Sequence, residues 1–160
     1  MVIIREQRIL PKVWYTTIAG KLDLNRQIWM GADIDDIAGM ATSVNNYYKI
    51  VLSSSAKIFD FQNKLHIDKL VDKIMPILHD IKTLGEWASF NNIRIPIPMN
   101  KVYEAVESGD MLVYNAPNIQ KAIKGLGFDG LTCLELNSLT CLLWNTRRIS
   151  SYDLLPSQRK

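Results

Sequence analysis

The segment His66–Lys82, HIDKLVDKIMPILHDIK, most constrains what this chain can fold into. Ile67, Leu70, Val71, Ile74, Ile77, Leu78 and Ile81 recur at spacings of three and four, the period that gives a helix one apolar stripe. Such a stripe needs a partner surface, so the chain must bury it against further elements. Pro76 falls inside the run and is expected to kink or divide the helix, because proline lacks an N–H and clashes with the preceding turn.

Other segments carry the opposite period. Val13–Thr17 (VWYTT), Gln27–Met30 (QIWM), Tyr47–Leu52 (YYKIVL) and Lys57–Phe61 (KIFDF) are short, β-branched and aromatic, and polar or glycine-containing turns bound them. Ile93–Met99 (IRIPIPM) holds two prolines and cannot be a central strand. A short helix is expected from an Asn100 cap through Ser108, and another over Pro117–Gly125, ending in GLGFDG. Strands interleaved with helices in this way predict an α+β fold, and 160 residues without a low-complexity linker predict one domain over 1–160. A domain of that size buries about two-thirds of its unfolded surface.

The charge narrows the function classes. The net charge is +3, with Arg5, Arg8 and Lys12 near one end and Arg147, Arg148, Arg159 and Lys160 near the other. Lys121 and Lys124 add scattered positive charge, and no basic stripe interleaves with aromatics, so a nucleic-acid-binding module is the weaker expectation. No apolar run approaches the ~20 residues of a membrane helix, and MVIIREQRIL lacks a signal-peptide core, so an intracellular, cytoplasmic protein without a membrane partner is expected. Two cysteines and two histidines, His66 and His79, match no metal-binding spacing, so no metal site is assigned.

The stretch Trp29–Gly39, WMGADIDDIAG, reads as a strand-to-helix corner. Asp33 is a good N-cap with Asp36 three residues on, and Ile34, Ile37, Ala38, Ala41 and Val44 form the buried stripe. Gly31 is expected to supply either positive φ or a close approach, and the free amides of the following helix favour a negative group. Ser53–Ser55 reads as a loop and Asp129 as a turn-shaping residue. A hairpin through Leu136-Asn137-Ser138 would set Glu135 opposite Leu139 and Cys133 opposite Cys141, with both thiols free in a reducing cell.

Taken in order, VWYTT, QIWMGADIDDIAGMA, the pair YYKIVL and KIFDF, then IKGLGFDG before LTCLELNSLTCLLWN resemble the ADP-ribosyltransferase fold, a split β-sandwich with flanking helices. The likeness spans roughly Val13 to Tyr152 and is greatest to small phage ADP-ribosyltransferase-like proteins, including an anti-CRISPR type. The resemblance implies NAD as co-substrate and mono-ADP-ribosylation of a macromolecular acceptor, expected to be a host or defence-system protein in the host cytoplasm. Tyr15 stands where the family's ribose-binding histidine would be, followed by Thr16. Trp29, Met30, Gly31 and Asp33 match the second element, with Met30 and Ala41 where the toxin branch has two tyrosines. Glu135, on the strand after Gly127-Phe128-Asp129-Gly130, matches the acid that stabilises the oxocarbenium-like transition state. The alternative implied by the missing histidine and tyrosines is a chain of this fold that has lost the reaction and inhibits a partner by binding.

Overall fold

A computed structural model describes residues 10–38, 45–108, 110–135 and 138–156. Its elements run β1 (Val13–Ala19), β2 (Ile28–Gly31), α1 (Ile34–Ala38), β3 (Asn45–Leu52), β4 (Ile58–Asp60), α2 (Lys64–Ile74), α3 (Lys82–Phe90), α4 (Met99–Glu107), α5 (Met111–Tyr114), α6 (Pro117–Gly125), β5 (Gly130–Glu135), β6 (Ser138–Leu143) and β7 (Ile149–Leu154). Short 3₁₀ turns occupy Met75–Asp80 and Thr146–Arg148. The fold is mixed α+β, and its seven strands form one sheet in the order β4-β5-β6-β2-β1-β3-β7. The described residues fall into two compact units, one within Phe59–Phe128 and the other within Ile9–Ile58 and Asp129–Lys160.

In the Phe59–Phe128 unit the apolar stripe behaves as its spacing requires. Ile67, Leu70, Val71 and Ile74 are buried on α2, and Asn63 caps the helix by accepting hydrogen bonds from the Leu65 and His66 amides. The buried faces of the other helices carry Leu84, Trp87 and Ala88 on α3, Val102, Ala105 and Val106 on α4, and Ile119, Ala122 and Ile123 on α6. The helix expected to reach Lys82 is divided. It ends at Ile74, continues as a 3₁₀ turn with Pro76 in its first positions, and breaks at Ile77 (φ −118°, ψ 16°) before α3 begins. The expected Asn100 cap is also corrected, since α4 begins at Met99 and its cap position is Pro98, two residues earlier, with no side-chain cap hydrogen bond.

His66 lies in an aromatic nest within this unit. Its Nδ1 accepts a 2.9 Å hydrogen bond from the Asp60 amide, and its ring centroid lies 4.8 Å from that of Phe128 and 5.5 Å from that of Phe59. Burial lowers its pKa below the usual 6.5, opposed by the Asp60 carboxylate and assisted by Lys69. Above pH 6.5 the imidazole is neutral both folded and unfolded and contributes no pH dependence. Below 6.5 the unfolded chain takes up a proton that the folded chain refuses, so stability falls until the folded pKa is passed. Urea unfolding across pH 7.5 to about 5 is expected to show that loss, and His66→Gln to flatten it. A wild-type curve that is flat or rises on acidification would contradict the assignment.

The other unit is built on strand pairing. β1 runs antiparallel to β3 from Val13↔Val51 to Ala19↔Asn45 and pairs with β2 at Tyr15↔Gly31. β2 continues onto β6 through Trp29↔Leu142 and Gly31↔Thr140. One sheet face carries the cluster Trp14, Ile28, Met30, Tyr48, Ile50, Leu52, Cys141 and Leu143. The β5–β6 register differs from expectation by one residue: Glu135 pairs with Ser138, Cys133 with Thr140 and Thr132 with Cys141. Ser138 therefore belongs to a strand and not to the turn, while Leu136 and Asn137 lie outside the described residues. The one-residue shift turns Cys133 and Cys141 to opposite faces of the sheet. Neither cysteine is in a disulfide.

Candidate functional site

β1 delivers two of the candidate residues, and strand alternation separates them. Tyr15 is half-buried and shares a face with Lys49 and Gly31, its pairing partners on the two neighbouring strands. Thr16 points to the opposite, cluster-bearing face, is 5% exposed, and donates its hydroxyl to the Trp29 carbonyl at 2.7 Å. That hydrogen bond ties β1 to β2 and engages the Thr16 proton.

β2 divides its residues in the same way. Trp29 is 39% exposed, whereas Met30 is 1% exposed and packed in the core cluster. Gly31 shares the Tyr15 and Trp29 face. A positive φ does not explain this glycine, because among the described glycines only Gly20 and Gly127 have one. The reason is a close approach: a Cβ at Gly31 would stand 2.8 Å from Ile37 Cδ1 and 2.9 Å from Cγ1. Ile37 is buried on α1, so the corner closes tightly only because the strand ends without a side chain. Gly31→Val is expected to cost on the order of 1–3 kcal/mol in urea unfolding through this overpacking, with Gly31→Ala nearer the low end. Wild-type stability in Gly31→Val would contradict the packing account.

The corner itself is as the sequence anticipates at Asp33. Its Oδ1 accepts a 2.9 Å hydrogen bond from the Asp35 amide, and the Ala32 amide donates to the Leu139 carbonyl at 3.0 Å, fastening the corner to β6. The expected stripe is described at Ile34 and Ile37; the side chains of Asp36 and Ala38 and all of Ala41 and Val44 lie outside the described residues.

Glu135 is the last residue of β5 and pairs through its backbone with Ser138; its side chain lies outside the described residues. A continuous row runs across four adjacent strands, Tyr15↔Gly31, Gly31↔Thr140 and Thr140↔Cys133, with Cys133 two residues before Glu135. Tyr15, Trp29 and Gly31 thus share one face of the strands that carry the row, whereas Thr16 and Met30 belong to the other. The row is lined by small groups: the Cys133 thiol and the Thr140 hydroxyl are in contact at 3.2 Å and both are buried. On the other face, burial pushes the Cys141 thiol well up and keeps it protonated, so it is no ready nucleophile.

Asp129 is more than a turn residue. Its Oδ2 accepts from the Lys57 amide at 2.8 Å and its Oδ1 from Asn145 Nδ2 at 2.7 Å, while its carbonyl accepts from the Trp144 and Asn145 amides. Arg148 Nε lies 3.2 Å from Oδ2, within ion-pair reach although that N–H makes no hydrogen bond. The carboxylate therefore fixes the start of β5, the strand that ends in Glu135. Sequence spacing gave no sign of this hub, because Lys57 and Asn145 stand 72 and 16 residues away.

Among the described residues, no three His, Cys, Asp or Glu side chains are grouped to hold a metal ion, and no helix is long and apolar enough to cross a membrane. Comparison with family models, curated proteins and solved structures gives no match, so any functional reading rests on the geometry of this chain.

Proposed function

We propose that the chain is an NAD-dependent mono-ADP-ribosyltransferase of the ADP-ribosyltransferase-like fold, acting on a protein acceptor such as a host or defence-system component. The observation that carries the reading is the row Tyr15–Gly31–Thr140–Cys133. It brings three segments that are far apart in sequence, and that the family resemblance singled out, onto neighbouring strands. Tyr15 offers a phenol able to donate to a ribose hydroxyl, and Trp29 offers a partly exposed aromatic surface against which nicotinamide can stack. Gly31 lets the corner close beside them against Ile37, and Glu135 supplies the carboxylate that stabilises positive charge on the ribose as nicotinamide leaves. Thr16 and Met30 serve as supports from the opposite face: one pins the two strands, the other fills the core beneath them.

A second reading, an inactive relative that inhibits a partner by occupying it, is favoured by that inward placement of Thr16 and Met30, which removes two of the expected NAD contacts. Calorimetry and thermal unfolding with NAD separate the two. At ~100 times its dissociation constant, NAD bound to the folded chain alone adds about 2.7 kcal/mol of stability. The absence of both heat and stabilisation at millimolar NAD would overturn the enzyme reading.

A further inference from the structure

β7 closes the strand order on one side, and among the described residues only β3 pairs with it. Edges of this kind are commonly protected by charge, proline or a bulge along the strand. Ile149–Leu154 carries a single charged side chain, Asp153, and its register irregularity is confined to the end opposite Val51 and Leu52. Tyr152 and Leu154 are 47% and 60% exposed.

The hydrogen-bond phase shows which groups face outward. The Leu155 amide donates to the Tyr47 carbonyl, so with the pairs Lys49↔Asp153 and Val51↔Ser151 the odd-numbered residues bond inward to β3. Tyr152 and Leu154 therefore aim their amides and carbonyls away from the sheet. They also sit on the cluster-bearing face, opposite Ile50 and Tyr48, and the Tyr152 and Tyr48 ring centroids are 6.4 Å apart. An apolar face thus runs out to an edge whose backbone is ready to pair.

We propose that β7 is a self-association edge, at which two copies of this chain pair their β7 strands antiparallel about a twofold axis at Tyr152 and continue the sheet from one molecule into the other. Charge and hydrogen-bond phase select this register. Centred on Tyr152, Asp153 lies opposite Ser151 of the other copy, a carboxylate facing a hydroxyl, and Leu154 lies opposite Ser150. Centred on Asp153, two carboxylates would face each other at the axis, which is destabilising. Centred on Ser151, Leu154 would face Arg148 and Asp153 would face Ile149, which leaves both charges opposite apolar groups. A single strand pair buries little area, so the association belongs to the weak, exchanging class of interface. The inference is independent of the proposed reaction.

Sedimentation equilibrium of the full chain from about 10 μM to about 1 mM, the range in which weak interfaces are populated, tests it. The average mass is expected to climb from 18.3 kDa towards twice that value. Tyr152→Lys sets two ammonium groups against each other on the axis and is expected to hold the mass at the monomer value with an unchanged circular dichroism spectrum. Tyr152→Cys is expected to form a disulfide-linked dimer on mild oxidation, because directly opposed Cα atoms about 5.5 Å apart suit that bond. Ser150→Cys, four residues out of register with its own copy, is expected to stay unlinked. A wild-type mass fixed at 18.3 kDa throughout overturns the proposal and leaves the edge to an extended segment of some other protein. Dimerisation that survives Tyr152→Lys, or linking of Ser150→Cys but not of Tyr152→Cys, overturns it as well.

Discussion

Asp129→Ala is expected to destabilise the protein by about 2–5 kcal/mol, because it orphans at least two partly buried donors at once. The Lys57 amide and Asn145 Nδ2 lose their acceptors, and Arg148 loses the carboxylate 3.2 Å from its Nε. Arg148 is 41% exposed and can turn to water, so most of the loss comes from the two amide donors. Asp129→Asn keeps an acceptor oxygen and is expected to lose clearly less. Urea unfolding of the three proteins checks the order, and a loss below about 0.5 kcal/mol in Asp129→Ala, typical of an ordinary surface site, would contradict the hub.

Glu135→Gln is expected to act on the reaction and not on the fold. The substitution keeps shape and removes charge at the last residue of β5, so the folded chain should unfold within about 0.5 kcal/mol of wild type. Its rate is another matter. A charge set against a developing cation stabilises the transition state more than the ground state, and loss of one preorganised group of that kind costs about 10²–10³ in rate. The variant is therefore expected to bind NAD and to transfer ADP-ribose at least about a hundredfold more slowly. Transfer at the wild-type rate would remove Glu135 from the mechanism. The two substitutions are complementary, since Asp129 anchors the start of the strand whose end carries Glu135.

What the sequence discloses follows from the range of the forces involved. α2 and α6 are legible because a helix writes its buried face into spacings of three and four, and α6 occupies the expected Pro117–Gly125. β1 and β3 are legible because their residues are β-branched and aromatic. The division at Pro76 is legible as a place but not as an outcome, since whether proline kinks or ends a helix depends on packing beyond the local chain. Gly31 is recognisable as special, yet its reason, the Ile37 side chain against its Cα, belongs to the turn of the corner and not to φ. The one-residue register shift at β5–β6 depends on the turn, and spacing alone did not fix it. Within the candidate site, alternation along β1 and β2 could have separated Tyr15 from Thr16 and Trp29 from Met30, because neighbours on a strand face opposite ways. The Asp129 network joins segments with no fixed spacing and becomes visible only when the sheet is assembled.

The most direct measurement of the account is the fate of NAD labelled separately in nicotinamide and in ADP-ribose, incubated with the purified chain and a cell lysate. Nicotinamide release and mass-spectrometric detection of acceptors are followed in parallel. Nicotinamide release that depends on the chain is expected, together with a mono-ADP-ribose adduct on a discrete acceptor protein and loss of both signals by about a hundredfold or more in Glu135→Gln. Intact NAD and no adduct with the folded wild-type chain would contradict the enzyme reading, and would leave inhibition by occupancy as the reading to pursue.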